Sequence, residues 1–161
     1  MKKIFALLLM LLVLMSFCGC SNEESAVPEP GTELSVFYEA ILDAQPEDSE
    51  ELIFFEESDP EMIENFYRGL TDIEFSQQAY YMPPIVTHPC EIVLVEVKNE
   101  EDVETVVEIF QARIDLGASV TDYPESAAGW SLYAQVQQSG NFVCMIVLPE
   151  GYVIPENVFV Q

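Results

Sequence analysis

Glu91 to Val97, "EIVLVEV", constrains the fold of this chain more than any other stretch. It is a short, dense run of Val, Ile and Leu with a connector on one side and a polar pair, Lys98-Asn99, on the other. Branched and aliphatic side chains at that length predict a strand, the strongest in the chain and a central one. The next segment, "EEDVETVVEIFQARI", has the helical period. Asn99 stands at its cap, and an acidic first turn suits the positive end of a helix dipole. Val103, Val106, Val107, Phe110 and Ile114 then recur as a buried stripe.

The other elements arrange themselves around this strand–helix pair. "NFVCMIVL" reads as a second buried strand, joined to a strand over Leu132 to Gln138 by the hairpin signal "SGN". Asp72 to Tyr81 predicts a third strand with Ile73, Phe75 and Ala79 inward. Thr32 caps a helix running to about Ala44, with Leu34, Phe37, Ile41 and Leu42 on one face. Asp59-Pro60 is a cap followed by proline at the first helical position, ahead of Met62, Ile63, Phe66 and Tyr67, with Gly69 as the stop. Leu52 to Phe55 is a short apolar run of undetermined type. "MPPIVTHP" is a kinked connector, since proline donates no ladder hydrogen bond. Leu116 to Gly129 is loop-like with a short helix near Glu125, and Pro155 to Val160 closes as a short helix or strand. Helices and strands mix without regular alternation. The expected class is therefore α+β: a small, mainly antiparallel sheet with helices packed on one face, and room for one parallel crossover after the central strand.

Composition breaks sharply at Cys20. Before it stand Lys2, Lys3 and the apolar run Ile4 to Met15; after it stand all 29 acidic residues and, of the basic ones, only Arg68, Lys98 and Arg113. Such a balance argues against nucleic acid, whose phosphates need Lys and Arg, and against lying flat on an anionic membrane. The apolar run is shorter than the roughly 20 residues a membrane-crossing helix needs, and two lysines, an apolar stretch and small residues form the layout of a secretion signal.

The end of that leader, Phe17-Cys18-Gly19-Cys20, resembles the lipobox of bacterial lipoprotein signals. The resemblance implies that the Cys20 thiol takes diacylglycerol and that the chain is cut between Gly19 and Cys20. Gly19 supplies the small residue required before the modified cysteine, whereas Phe17 does not supply it for Cys18, which is discarded. Phe17 stands three positions back from Cys20, where Leu is usual. A thiol is the side chain suited to alkylation once deprotonated, and two acyl chains suffice for stable anchoring. The expected organisation is a removed signal at 1–19, a disordered acidic tether at 20–31 rich in Ser, Glu, Pro and Gly, and a single α+β domain at 32–161. The expected location is the outer face of the cell membrane, with the acidic domain held off the surface by its own charge.

Three stretches carry a second resemblance: "YYMPPIVTHPCEIVLVEVKN", "EEDVETVVEIFQARID" and "SGNFVCMIVL". Over about Leu34 to Leu148 the chain is similar to an uncharacterised family of small Gram-positive lipoproteins, domain of unknown function 4358. That resemblance implies a polar tether, a Met-Pro connector, an apolar strand, a long helix and a late Gly-Asn hairpin. It implies no activity, cofactor or catalytic residue. This chain departs from the family at His88-Pro89-Cys90, where small or acidic residues are usual.

Candidate chemistry is sparse. His88 and Cys90 share a face of any extended segment, so a Cys–His nucleophile is conceivable, but no orienting partner is identifiable. Cys90 and Cys144 are either a disulfide closing a long loop or two buried thiols on neighbouring strands. The acidic runs Glu47–Glu51 and Glu56–Glu61 lack the spacing of an EF-hand and read as a solvated acidic surface. Tyr80, Tyr81, Tyr123, Trp130 and Tyr133 either line a groove or fill the core. No motif points to a catalytic residue, a metal site or a cofactor. The expected function is a non-catalytic binding or interaction module for an unknown protein or envelope ligand. An envelope-acting enzyme or accessory and a regulatory lipoprotein of a membrane complex are the alternatives.

Overall fold

The computed structural model describes residues 27–85 and 89–160. Five strands form one sheet: β1 (Phe55–Glu56), β2 (Phe75–Met82), β3 (Glu91–Val97), β4 (Ala134–Ser139) and β5 (Phe142–Val147). Their order is β1-β2-β3-β5-β4, and every neighbouring pair is antiparallel. Four helices accompany them: α1 (Leu34–Asp43), α2 (Pro60–Phe66), α3 (Val103–Ala118) and α4 (Pro124–Tyr133). This is the α+β class with an antiparallel sheet that the sequence predicts. β3 lies at its centre. β3 and β4 run the same way but with β5 between them, so the crossover through α3 and α4 joins parallel strands that are not neighbours.

The helices do not share one face. α2, α3 and α4 cover one side, burying Ile63, Tyr67, Val106, Phe110 and Trp130 against Val93, Val95, Val143 and Met145. α1 covers the other side. It buries Leu34, Phe37 and Ile41 with Val158 and Phe159 against Ile92, Leu94, Cys144 and Ile146. The physical reason is written in β3 and β5, which are buried at every position. A strand with one wet face alternates, whereas an unbroken apolar run needs cover on both. The segment expected to close as a helix or strand, Pro155 to Val160, forms neither. It packs Phe159 edge-on to Phe37 at 5.1 Å.

Local chemistry explains the other departures. In β2 the register with β3 shifts between Phe75 and Gln77. This bulge turns Phe75 toward α3 and Ala79 toward α1, although their spacing alone would put both on one face. α1 begins one residue later than a Thr32 cap implies: the Thr32 hydroxyl donates to the Glu29 carbonyl, and Glu33 holds the cap position without a side-chain bond. A turn of 3-10 helix, Glu100–Asp102, precedes α3, with the Asn99 amide donating to Asp102 at 3.0 Å. α2 starts as its sequence says, with Asp59 accepting from Glu61 N–H and Pro60 in the first turn. α4 is longer than expected: Pro124 opens it, and Leu132 and Tyr133 belong to it rather than to β4.

Candidate functional site

Each face of β3 carries one buried glutamate. Successive strand residues point to opposite faces, so Glu91 looks toward α2 and α3 while Glu96 looks toward α1. Both are nearly or wholly closed to solvent, at 0% and 3% exposure.

Around Glu91 the side chains form a closed polar cluster. Arg113 lies on the α3 stripe three residues past Phe110. Its Nε donates to Glu91 Oε2 at 3.1 Å and its terminal nitrogen to Oε1. The Tyr67 hydroxyl, one residue beyond α2, donates to Oε2 at 2.7 Å. The guanidinium is sandwiched by aromatic rings, 4.2 Å from the centroid of Trp130 and 5.0 Å from that of Phe66. Burial first, and then the Glu91 carboxylate, hold the Tyr67 phenol well above its ordinary 10.0, so it remains a donor. A buried pair of this kind persists only when the remaining lone pairs and protons are met. Here both carboxylate oxygens have donors, and no buried side-chain polar atom among the described residues lacks a partner. Gly117 makes room for the arrangement: a Cβ there would enter the Trp130 ring.

Around Glu96 the partners are the amide of Gln77 and the incoming chain. Gln77 Nε2 donates to Glu96 Oε2 at 2.9 Å and to the Thr32 carbonyl at 3.0 Å, while its Oε1 accepts from Leu34 N–H at 3.3 Å. Gly31 N–H donates to Glu96 Oε1 at 2.9 Å. Gln77 and Glu96 together clasp residues 31–34 to the end of the sheet. Upstream, Val27 passes close to Gly140 in the β4–β5 turn.

Of the residues singled out from the sequence, Gly19, Cys20 and His88 lie outside the described residues. Cys90 and Cys144 are both buried and free. Cys144 pairs across with Leu94, and Cys90 precedes Glu91, so four residues of strand separate them along the sheet. That is roughly 13 Å at strand rise, well beyond the reach of a disulfide, and the bond the sequence allowed is not formed. Burial pushes both thiols up to about 12, with Glu91 adding to the effect at Cys90. Trp130 and Tyr80 are core residues. Tyr81 stacks on Tyr38 at 3.8 Å, Tyr133 is half-buried, and Tyr123 is exposed. The side chains of the acidic runs serve as local caps, Glu57 accepting from Ser58 and Asp59 N–H, while backbone groups of Glu50 and Glu57 bond to Tyr152 and Tyr80. Among the described residues no group of three His, Cys, Asp or Glu is placed to hold a metal ion, and no helix is long and apolar enough to cross a membrane.

Among the described residues, two grooves open to the surface bear on this question. One, of about 510 Å³, runs between α2 and α3 past Phe66, Arg68, Glu108, Arg113 and Leu116. The other, of about 320 Å³, follows α1 past Leu42, Gln45, Ser49 and Leu52. In neither does a nucleophile hydrogen-bond to a base; the Ser49 hydroxyl donates to the Pro46 carbonyl instead.

The glutamates of β3 and Arg113 are absent from the sequence-derived candidates. The signal was there: an acid at each end of the apolar run, and a base three residues along a valine–phenylalanine stripe. No curated protein and no solved structure matches the chain. A family profile does match, over residues 51–148, which is more than half of the chain. It takes in all five strands, α2, α3 and α4, and leaves α1 and the C-terminal segment outside. The chain therefore belongs to the family described as Domain of unknown function (DUF4358).

Proposed function

We propose that this chain is a lipoprotein held at the outer face of the cell membrane by diacylglycerol on Cys20, its acidic domain a non-catalytic binding or interaction module. The observation that carries the module reading is how the buried ionisable groups are used. Glu91, Arg113 and Tyr67 satisfy one another inside the core, whereas an active site directs shifted groups at a cleft. The anchor reading rests on the lysines, the apolar run and the Gly19-Cys20 junction. The Glu96–Gln77 clasp supports it mechanically. It ties down Gly31 to Leu34, so that a pull on the tether loads the central strand rather than unravelling α1. Lipid attachment reconciles a membrane location with a formal charge of -24, because two acyl chains hold what electrostatics repels.

The test is mass spectrometry of the N-terminal peptide from membrane-extracted protein. It should begin at Cys20 and carry the added mass of diacylglycerol, and Cys20→Ala should leave the precursor unmodified. A chain recovered from cytosol with Met1 intact and no acyl mass would refute the anchor. Turnover of cell-wall material by the purified protein would refute the non-catalytic module.

A further inference from the structure

The two edges of the sheet are built differently. β1 has two residues and runs into Glu57 and then Pro60. β4 has six, "AQVQQS", with no charge, no proline and no bulge in its register with β5. Those are the devices that normally protect an exposed strand edge.

The hairpin geometry says which backbone groups lie open. Ser139 pairs with Phe142 across the two-residue turn Gly140-Asn141, where Gly140 adopts φ +57°. A turn of that length makes the flanking residues a pair that exchanges both hydrogen bonds. Bonding then alternates along the ladder. Ser139, Gln137 and Gln135 spend their backbone groups on β5, while Ala134, Val136 and Gln138 point theirs away from it. Among the described residues no backbone hydrogen bond from outside the sheet reaches these three. Among the described residues, the hydrogen bonds between the C-terminal segment and β4 are those of the Gln137 side chain with Pro155 and Val158.

We propose that β4 pairs edge to edge with β4 of a second copy, about a two-fold axis at Val136. The open residues are symmetric about that position, so the register is determined. Val136 meets Val136 of the second copy, Ala134 meets Gln138, and each of these pairs exchanges two backbone hydrogen bonds. On the α1 face, Gln135 meets Gln137. The occupant is a second copy because of charge. From Ser126 to Pro149 the chain has no charged residue, in a protein of net charge -24. Two copies meeting here bring no carboxylate of either strand face to face, and charges beyond ~8 Å are screened at physiological salt. A cationic partner would instead be drawn to the acidic surface elsewhere. Apolar area adjoins the strand: Leu132, two residues before it, is 70% exposed. The pairing does not depend on the Cys20 anchor and is compatible with it. The two hairpin turns would sit ~27 Å apart, and each leash from Val27 back to Cys20 reaches up to ~24 Å.

The test uses the full chain in detergent, followed by light scattering coupled to size-exclusion chromatography. The expected result is a dimer that tightens as NaCl rises from about 50 to 500 mM. The exposed double variant Gln135→Glu, Gln138→Glu should weaken it at least tenfold. Gln138→Pro should do the same without losing a hydrogen bond inside the monomer. Mild oxidation should link Val136→Cys into a covalent dimer and leave Leu116→Cys, on α3, unlinked. A wild-type monomer at about 100 µM overturns the proposal. So does a dimer unchanged by the double variant while Trp130 fluorescence reports an intact fold, or a Val136→Cys that links in membranes only to a different protein. Anchor and edge fail separately: an unlipidated dimer refutes the first alone, and a lipidated monomer the second alone.

Discussion

Replacing Arg113 should destabilise this domain far more than replacing either member of the exposed surface pair in which Lys98 Nζ lies 3.3 Å from Glu74 Oε2. Arg113→Met keeps most of the side-chain length over Trp130 but removes both hydrogen bonds to Glu91. Glu91, fully buried, is left with the Tyr67 hydroxyl as its donor. Breaking a buried pair from one side costs roughly 3–5 kcal/mol, because a charge remains without compensation. Loss of the guanidinium between two rings adds ~0.5–2 kcal/mol. Domains of this size hold about 5–15 kcal/mol in total, so the variant gives up roughly a quarter or more, and its melting temperature should fall by roughly 10–20 °C. Removing both charges, as Glu91→Leu with Arg113→Met, should recover most of the loss, since well-packed apolar groups replace buried pairs at little cost. The unpaired Tyr67 hydroxyl should withhold ~1–3 kcal/mol of the recovery. The assay is urea unfolding monitored through Trp130, the single tryptophan of the chain, whose ring lies against the guanidinium. A loss below about 1 kcal/mol for Arg113→Met, or a double variant as unstable as the two single losses added, would refute the reasoning.

The same core sets two further outcomes. Gly117→Ala puts a methyl group into the Trp130 ring; overpacking of this kind costs ~1–3 kcal/mol and should show as a matching drop in urea midpoint with altered Trp130 emission. Alkali should unfold the protein through its thiols: Cys90 and Cys144 are raised from 9.0 to about 12. Their contribution is therefore intact below pH 9 and is lost as pH climbs through 12, with Tyr67 adding to the loss above 10. For Cys144, buried throughout, the lift corresponds to roughly 4 kcal/mol. Urea midpoints from pH 8 to 12 should fall accordingly, and Cys144→Val should flatten the fall; an unchanged slope would sink the assignment.

Much of the fold was legible because local and tertiary demands agree. Asp59-Pro60 starts α2 through bonds within three residues, and Val106, Phe110 and Ile114 of the α3 stripe are buried where its period says, with Val103 and Val107 half-buried against the same cluster. The illegible features depend on partners distant in sequence. Phe75 and Ala79 fall on opposite faces through a bulge that no spacing reveals. Leu132 and Tyr133 continue α4, which Pro124 opens and which ends where Ala134 turns to extended backbone. Cys90 and Cys144 share a face but not a position along it, and only the β3–β5 register decides that. The distribution of helices is a different case, for the signal lay in plain view. β3 and β5 are apolar at consecutive positions, and no one-sided sheet tolerates such strands.

Strand parity governs the candidate sites as well. A glutamate at position 91 and another at 96 differ by an odd number, so they must serve opposite faces of one strand. Each then needs its own donors from its own side. One finds Arg113 and Tyr67 on the face covered by α2 and α3, and the other finds Gln77 and the Gly31 backbone just ahead of α1. The charges of the central strand therefore fasten both layers of the domain, and neither is left open to solvent. Along the sheet, the backbone groups that do stay open on β4 are the ones we propose for pairing with a second copy.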